Sequence, residues 1–261
     1  MRIATWNVNS IRARIEHVVS FLQQYNIDVM LLQELKCAKD LFPSQIFEDL
    51  GYNCAIYCQK AYNGVAILSK NIIEDIVDGS SIFQNDDQTR YIEAFTGGLT
   101  VASVYVPNGQ DRVNVESGVP YAYKLDFMKK LQGHILSQGY AQNNFVIGGD
   151  FNITRDDQDT YDPKIWNETR IACTKPERQA INEFINQLSL DDAMRKHGCC
   201  DFTWYDYRHN SVAENRGLRI DYILTSQKLQ TVSCITDISY RKLQRASDHV
   251  PVISDIAEDS I

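Results

Sequence analysis

The 261-residue chain contains no apolar run approaching the roughly 18 residues that a membrane-spanning helix needs. Its opening, Met1-Arg2-Ile3-Ala4-Thr5-Trp6-Asn7, enters a β-like segment at once, without a signal-peptide core or cleavage site. A cytoplasmic protein with no membrane partner is therefore expected. A paired Cys-x-x-Cys zinc pattern is missing, and the seven cysteines, with Cys199 and Cys200 adjacent, fit free thiols in a reducing compartment. Positive charge is also short. Against 34 Asp and Glu stand 26 Lys and Arg, and a net charge of −8 excludes a protein that coats nucleic acid nonspecifically. It leaves room for a local basic rim with a metal offsetting the acids. No low-complexity linker or break in composition divides the chain, so residues 1–261 are expected to form one soluble domain.

What the sequence does have is periodic structure. Residues 2–7 predict a strand, followed by a helix capped near Asn9 or Ser10, with Ile11, Ile15, Val18 and Leu22 on one face. Asp28–Glu34 is a continuously apolar strand of the kind buried on both faces. Further strands are predicted at Asn53–Cys58 and Gly64–Ser69, and Gly97-Gly98 joins Tyr91–Thr96 to Leu99–Val106 as a hairpin. A helix over Tyr121–Leu136, the strand Asn144–Gly149, a loop carrying Asp156, Asp157, Asp159 and Asp162, and a helix near Glu177–Leu188 come next. Strands around Phe202–Tyr205, Arg219–Thr225, Thr231–Tyr240 and Val250–Ile256 complete the reading. Two β-rich halves, each carrying helices, predict an α/β fold of two sheets packed face to face with helices outside.

Acids, amides and a histidine recur at the ends of these apolar runs. Gly149-Asp150-Phe151-Asn152 closes Phe145-Val146-Ile147, Gln33-Glu34 closes Val29-Met30-Leu31-Leu32, and Trp6-Asn7 closes the first strand. Burying several acids together normally requires a cation or another strong partner, which points to a divalent-metal site acting on phosphate esters. Asp150 and Asn152, two apart on an extended segment, would face one pocket, although Asp-Phe-Asn is also an ordinary turn after a strand. Glu34 and Asn7 suit a hard cation; the plainer alternatives are a Glu34 salt bridge to Lys36 or Lys39, and a loop role for Asn7. Alternation places Ile220 and Tyr222 opposite Asp221, whose inward carboxylate would orient His249. Asp248 and His249 are expected to splay to different partners. Tyr105, at a strand end before Val106-Pro107-Asn108-Gly109, is placed to put its phenol on a phosphate or simply to cover a sheet.

In this order the motifs resemble the exonuclease III family of DNA-repair nucleases, the abasic-site endonuclease branch of the endonuclease/exonuclease/phosphatase superfamily. The likeness covers residues 6–14, 32–36, 63–70, 104–109, 149–153, 215–221 and 247–252, from Ile3 nearly to the end. It implies a four-layer, DNase I-like α/β sandwich of two mixed sheets flanked by helices. It implies Mg2+ or Mn2+ held chiefly by Glu34, with Asn7, Asp150, Asn152 and Asp248 in the ligand set. Asp150 would activate the attacking water, Asn152 and His249 would stabilise phosphoryl oxygens, Asp221 would hold His249, and Tyr105 would contact the phosphate. Trp204, Leu218 and Ile220 fall where the family lines a pocket for a baseless sugar, core packing being the rival for Ile220. Two departures stand out: Leu35 replaces a usual Thr behind Glu34, and Asp111 beside Arg112 replaces an Arg that some relatives insert into DNA.

The implied activity is cleavage 5′ to abasic sites and 3′-to-5′ removal of nucleotides from double-stranded DNA by a monomeric enzyme. Arg12, Arg14, Lys36, Arg90, Lys124 and Arg208 are the candidates for the basic rim, Arg90 being the one assigned to substrate binding. Two rivals stay open. One is hydrolysis of inositol phosphates or sphingomyelin by the same metal residues. The other is an inactive relative that only binds damaged DNA, which should have lost Glu34, Asp150, Asn152, Asp221 or His249.

Overall fold

The computed structural model describes residues 1–84, 86–109, 119–257 and 261. In chain order the first strands and helices are β1 (Arg2–Asn7), α1 (Ile11–Tyr25), β2 (Val29–Gln33), α2 (Ser44–Asp49), β3 (Asn53–Tyr57) and β4 (Val65–Ser69). Then come β5 (Ile73–Asp78), β6 (Tyr91–Thr96), β7 (Leu99–Tyr105), α3 (Val119–Gln138), β8 (Phe145–Asp150) and α4 (Lys175–Gln187). The last are β9 (Leu190–Asp192), α5 (Ala193–Lys196), β10 (Trp204–Tyr205), β11 (Gly217–Leu218), β12 (Asp221–Ser226), β13 (Thr231–Thr236) and β14 (Val252–Ile256).

Two six-stranded mixed sheets, ordered β13-β14-β1-β2-β4-β3 and β5-β6-β7-β8-β12-β9, pack face to face as the four-layer sandwich expected. β1 and β2 run parallel, as do β7 and β8; the other neighbours are antiparallel. The sheets do not follow the two halves of the sequence. β14 returns to the first sheet to pair with β1, and β13 pairs with β14 outside it, so the edge of β1 is covered. That return carries residues 247–249 to the end of β1, which the site requires.

Alternation along the central strands sorts side chains into three apolar layers. Ile3, Val29, Leu31, Val146 and Ile223 point between the sheets. Ala4, Trp6, Met30 and Leu32 point outward beneath Val18, Phe21 and Leu22 of α1. Phe145, Ile147, Tyr222 and Leu224 meet Phe127 and Leu131 of α3 and Ile181 and Phe184 of α4. Truncating a buried aromatic such as Phe21 or Phe184 would cost about 3–5 kcal/mol. Leu35 is fully buried in the outer layer beneath α1, so its departure from Thr is absorbed by packing behind Glu34.

Several extents differ from the periodic reading. The strand from Thr231 stops at Thr236, because the Asp237 side chain accepts from Ser239 N–H and starts a 3-10 turn at Ile238–Lys242. Strand geometry near Phe202 is confined to Trp204–Tyr205. Ile220 precedes β12 instead of sharing its alternation, so Tyr222 enters the helix-covered core while Ile220 does not. Gly148 and Gly149 both belong to β8. A Cβ on Gly149 would lie 1.9 Å from the Val104 carbonyl, so this close approach of β7 to β8 requires glycine.

Candidate active site

Sheet register assembles the site. Tyr105 pairs with Asp150 across β7 and β8, and Asp221 pairs with Asp150 across β8 and β12, so three of the expected residues share one rung at a sheet end. Asn7 ends β1, and Glu34 follows β2 in the adjoining sheet. An isolated bridge between Trp204 and His249 brings the C-terminal loop over the same end.

Asp150 is buried at the centre. Its Oδ1 accepts the Asn152 backbone N–H at 2.9 Å; its Oδ2 accepts from Asn7 Nδ2 at 2.9 Å and Asn152 Nδ2 at 3.3 Å. Asn152 reaches this place through a turn, with a left-handed φ of 53°, and not by continuing the strand. Glu34 has the same φ of 53°, a conformation of a non-glycine residue that surrounding contacts must enforce. Lys36 Nζ lies 2.6 Å from Glu34 Oε2, so the plainer salt bridge coexists with a place in the site.

Both amides are engaged in hydrogen bonds within the site. Asn7 Oδ1 accepts the Asn9 backbone N–H at 3.0 Å, while its Nδ2 donates to Glu34 Oε1 and Asp150 Oδ2, both at 2.9 Å. A backbone donor fixes which end of that amide is oxygen, so Asn7 clamps two carboxylates and turns no oxygen toward them. Asn152 Nδ2 donates to the Val106 carbonyl at 2.9 Å, and its Oδ1 accepts from Asn108 Nδ2 at 3.1 Å.

His249 Nδ1 lies 2.8 Å from Asp221 Oδ2, and its Nε2 lies 3.6 Å from Asp150 Oδ2. Burial favours the neutral ring, yet Asp221 and Asp150 outweigh it and raise His249 to about 10. Burial pushes Asp150 up to about 7 against the pull of His249, with Asp221 and Glu34 adding to the rise. Burial, then Glu34 and Asp150, drive the Tyr105 phenol well above its usual range, so it remains a proton donor at neutral pH. Asp248 splays away from His249, as expected. Its Oδ2 accepts the Trp204 indole N–H at 3.0 Å and its Oδ1 accepts from Asn9 Nδ2 at 3.0 Å. Burial alone would raise Asp248, but His249, Trp204 and Asn9 hold it below the usual carboxylate range.

One ligand atom from each of Glu34, Asp150 and His249 lies within 4.8 Å of the others, forming a candidate cation site among the described residues. The two carboxylates suit a hard divalent ion; an imidazole is a poor partner for magnesium. Asp248 lies outside this cluster.

A slot of about 210 Å³ opens beside Asp150, Asn152 and His249, walled by Trp204, Leu218 and Ile220, so all three expected pocket residues meet there. Trp166, Ile171 and Asn108 also line it and escaped the sequence reading. They come from irregular loops whose placement depends on distant contacts; an isolated Trp in a polar loop was the available signal. Arg90 lies over the Tyr105 ring at 4.6 Å, on the wall of a neighbouring 570 Å³ cavity that also contains Glu34 and Lys36.

The expected basic rim is only partly realised. Arg12 and Arg208 are exposed. Arg14 is spent internally, donating to the Arg245 and Ala246 carbonyls at 2.9 and 3.1 Å, and so ties the loop before Asp248 to α1. Lys124 is fully buried against Glu177. Asp111 and Arg112 lie outside the described residues. All seven cysteines are free thiols, and no helix among the described residues is long and apolar enough to cross a membrane.

Residues 4–249 match the Endonuclease/Exonuclease/phosphatase family. Exodeoxyribonuclease III of Haemophilus influenzae is 34% identical over 265 residues, spanning 97% of this chain and 98% of that protein. The 3′ phosphatase NExo from Neisseria, solved bound to a product DNA hairpin, superposes with a TM-score of 0.93 at 35% identity, covering 98% of this chain and 99% of that one. An AP endonuclease from Archaeoglobus fulgidus gives 0.91 at 30% identity, with 98% and 99% covered.

Proposed function

The chain belongs to the endonuclease/exonuclease/phosphatase family, and on that premise we propose that it is a divalent-metal-dependent DNA-repair nuclease of the exonuclease III type. The observation that carries this reading is that ligand atoms of Glu34, Asp150 and His249 lie within 4.8 Å of one another beside a slot walled on one side by Trp204, Leu218 and Ile220. We assign it cleavage 5′ to abasic sites and 3′-to-5′ removal of nucleotides or 3′-phosphates from duplex DNA, acting as a monomeric single domain in the cytoplasm. The names of its relatives favour DNA over inositol phosphates or sphingomyelin. An inactive relative is disfavoured, because each of the five residues whose loss would mark one is present in the sequence.

Magnesium or manganese would be held by Glu34 and Asp150, and when bound it supplies charge for the phosphoryl and leaving oxygens. Asp150, the buried carboxylate, aims a water and takes its proton. Protonated His249, oriented by Asp221, and the Tyr105 phenol donate to phosphoryl oxygens where negative charge grows. Asn152 offers the hydrogen of its 3.3 Å contact to Asp150, the longer of its two donor bonds. Asn7 keeps the two carboxylates in register, and Asp248 holds Trp204 as the slot wall.

Because burial pushes Asp150 up to about 7, a cation that needs its carboxylate competes with a proton near neutrality. Affinity for Mn2+ is expected to rise about tenfold between about pH 6 and about pH 8, with proton release, when followed by calorimetry. An affinity independent of pH would remove Asp150 from the ligand set.

The function is tested with end-labelled duplexes carrying an abasic analogue, a 3′-phosphate or an unmodified 3′ end, with magnesium and with identification of the product ends. Incision 5′ to the analogue supports the abasic assignment, and activity on the 3′ ends alone confines the enzyme to end processing. Trp204→Ala should lower abasic cleavage about tenfold or more relative to exonuclease activity, given the roughly 1.5–3 kcal/mol that burying a large apolar side chain contributes. Equal loss of both would mean that Trp204 supports the fold and not selectivity.

A further inference from the structure

Lys124 carries a charge that the mechanism above leaves unused. It projects from α3 and is completely buried, paired with Glu177 at the start of α4. An ammonium group has three hydrogens to donate. Here they go to Glu177 Oε1, to the Asn152 carbonyl at 2.7 Å and to the Asn108 carbonyl at 3.2 Å. These carbonyls belong to separate loops, and the side chains of the same two residues bond each other at 3.1 Å.

Glu177 extends the same grip. It accepts the Ala172 N–H at 3.0 Å on Oε1 and the Thr174 N–H at 3.1 Å on Oε2, closing the capping box of α4. The segment just before α4 contributes Ile171 and Ala172 to the slot wall. One buried ion pair therefore joins three loops that line the slot beside Asp150. Charges removed from water are expensive, and an apolar pair of similar volume would fill the space as well or better. The pair's three-way hydrogen bonding is something an apolar pair cannot supply.

We infer that the Lys124–Glu177 pair is a positioning device: it holds Asn152 in its left-handed conformation and, through Asn152, sets the Asp150 carboxylate against the substrate phosphate. This rests on the roles proposed above for Asn152 and Asp150. The backbone N–H of Asn152 is the donor to Asp150 Oδ1, so a shift of the Asn152 peptide is passed directly to the carboxylate. Lys124 itself touches no reacting atom.

The test is the double variant Lys124→Met/Glu177→Gln, which removes both charges together and leaves an acceptor oxygen for the α4 cap. With DNA substrate and magnesium, kcat is expected to fall about 100-fold, the loss typical of a displacement near 1 Å, while KM stays within about threefold. A kcat within about threefold of the parent would overturn the inference. Assays are repeated with sucrose, which favours the compact state. Restoration of kcat by sucrose would assign the loss to unfolding and also overturn it; a kcat that stays low supports it. Asn152→Ala is measured alongside. If that variant keeps full activity, the role of Asn152 itself fails; if it loses activity while the double variant does not, only the positioning inference fails.

Discussion

Asp150→Asn is expected to lower kcat by at least about 10³-fold, toward the upper end of what a positioned base contributes. The substitution keeps the shape of the side chain but not its hydrogen-bonding. Asp150 Oδ2 faces donors from Asn7 and Asn152 and lies 3.6 Å from His249 Nε2. An Asn that keeps its oxygen on the Asn152 N–H would aim its own NH2 at those donors. The variant therefore loses the base, a cation ligand and the counter-charge of His249 together. The His249 pKa should fall from about 10 as a result, because Asp150, with Asp221 and Asp248, is one of the three acids that raise it. Duplex binding should change only several-fold, since affinity for a polyanion comes chiefly from phosphate contacts of cationic and polar groups rather than from a single acid. Gel-shift and single-turnover measurements separate the two. Turnover within tenfold of the parent would exclude Asp150 as the group that activates water.

Removal of the divalent ion is expected to be comparably severe. Glu34, Asp150, Asp221 and Asp248 converge near the protonated His249 and Lys36, leaving the pocket rich in negative charge before a phosphate arrives. EDTA should reduce cleavage by about 10³-fold or more, and added magnesium should restore it. The same charge balance acts on stability. At about 100 times Kd, an ion that binds only the folded state adds ~2.7 kcal/mol, or about 5–10 °C in Tm for a chain of this size. Glu34→Gln should lose both responses. A Tm unchanged by magnesium, with full activity in EDTA, would mean that the acids serve some other purpose.

The central strands and the motif ends were legible because burial on both faces and period-two alternation leave a plain trace in β2, β8 and β12. β5 left none. It is an edge strand with Glu74, Asp75 and Ile76 exposed and a register shift between Glu74 and Val77, so neither alternation nor a continuous apolar run marks it. The exchange of β13 and β14 into the first sheet is a long-range pairing that no local pattern encodes. The same limit applies to charged residues. Lys124 and Arg14 read as surface cations, and only the folded partners Glu177 and the 245–246 carbonyls show that both are structural. Asn7 was recognised as a site residue by its position, but the direction of its amide is set by Asn9, two residues on. Trp166 and Ile171 reach the slot through a loop braced by a buried cluster in which Arg219 contacts Asp159 and Asp192. Nothing in the spacing of those residues announces the pairing.

Crystals soaked in Mn2+ and measured at its absorption edge would examine the cation site without relying on turnover. A single strong anomalous peak within about 2.5 Å of a Glu34 carboxylate oxygen, facing Asp150 and absent from Glu34→Gln, is the expected result. A fully active protein whose peak lies elsewhere, with none between Glu34 and Asp150, would contradict the assignment of these acids as the holders of the catalytic ion.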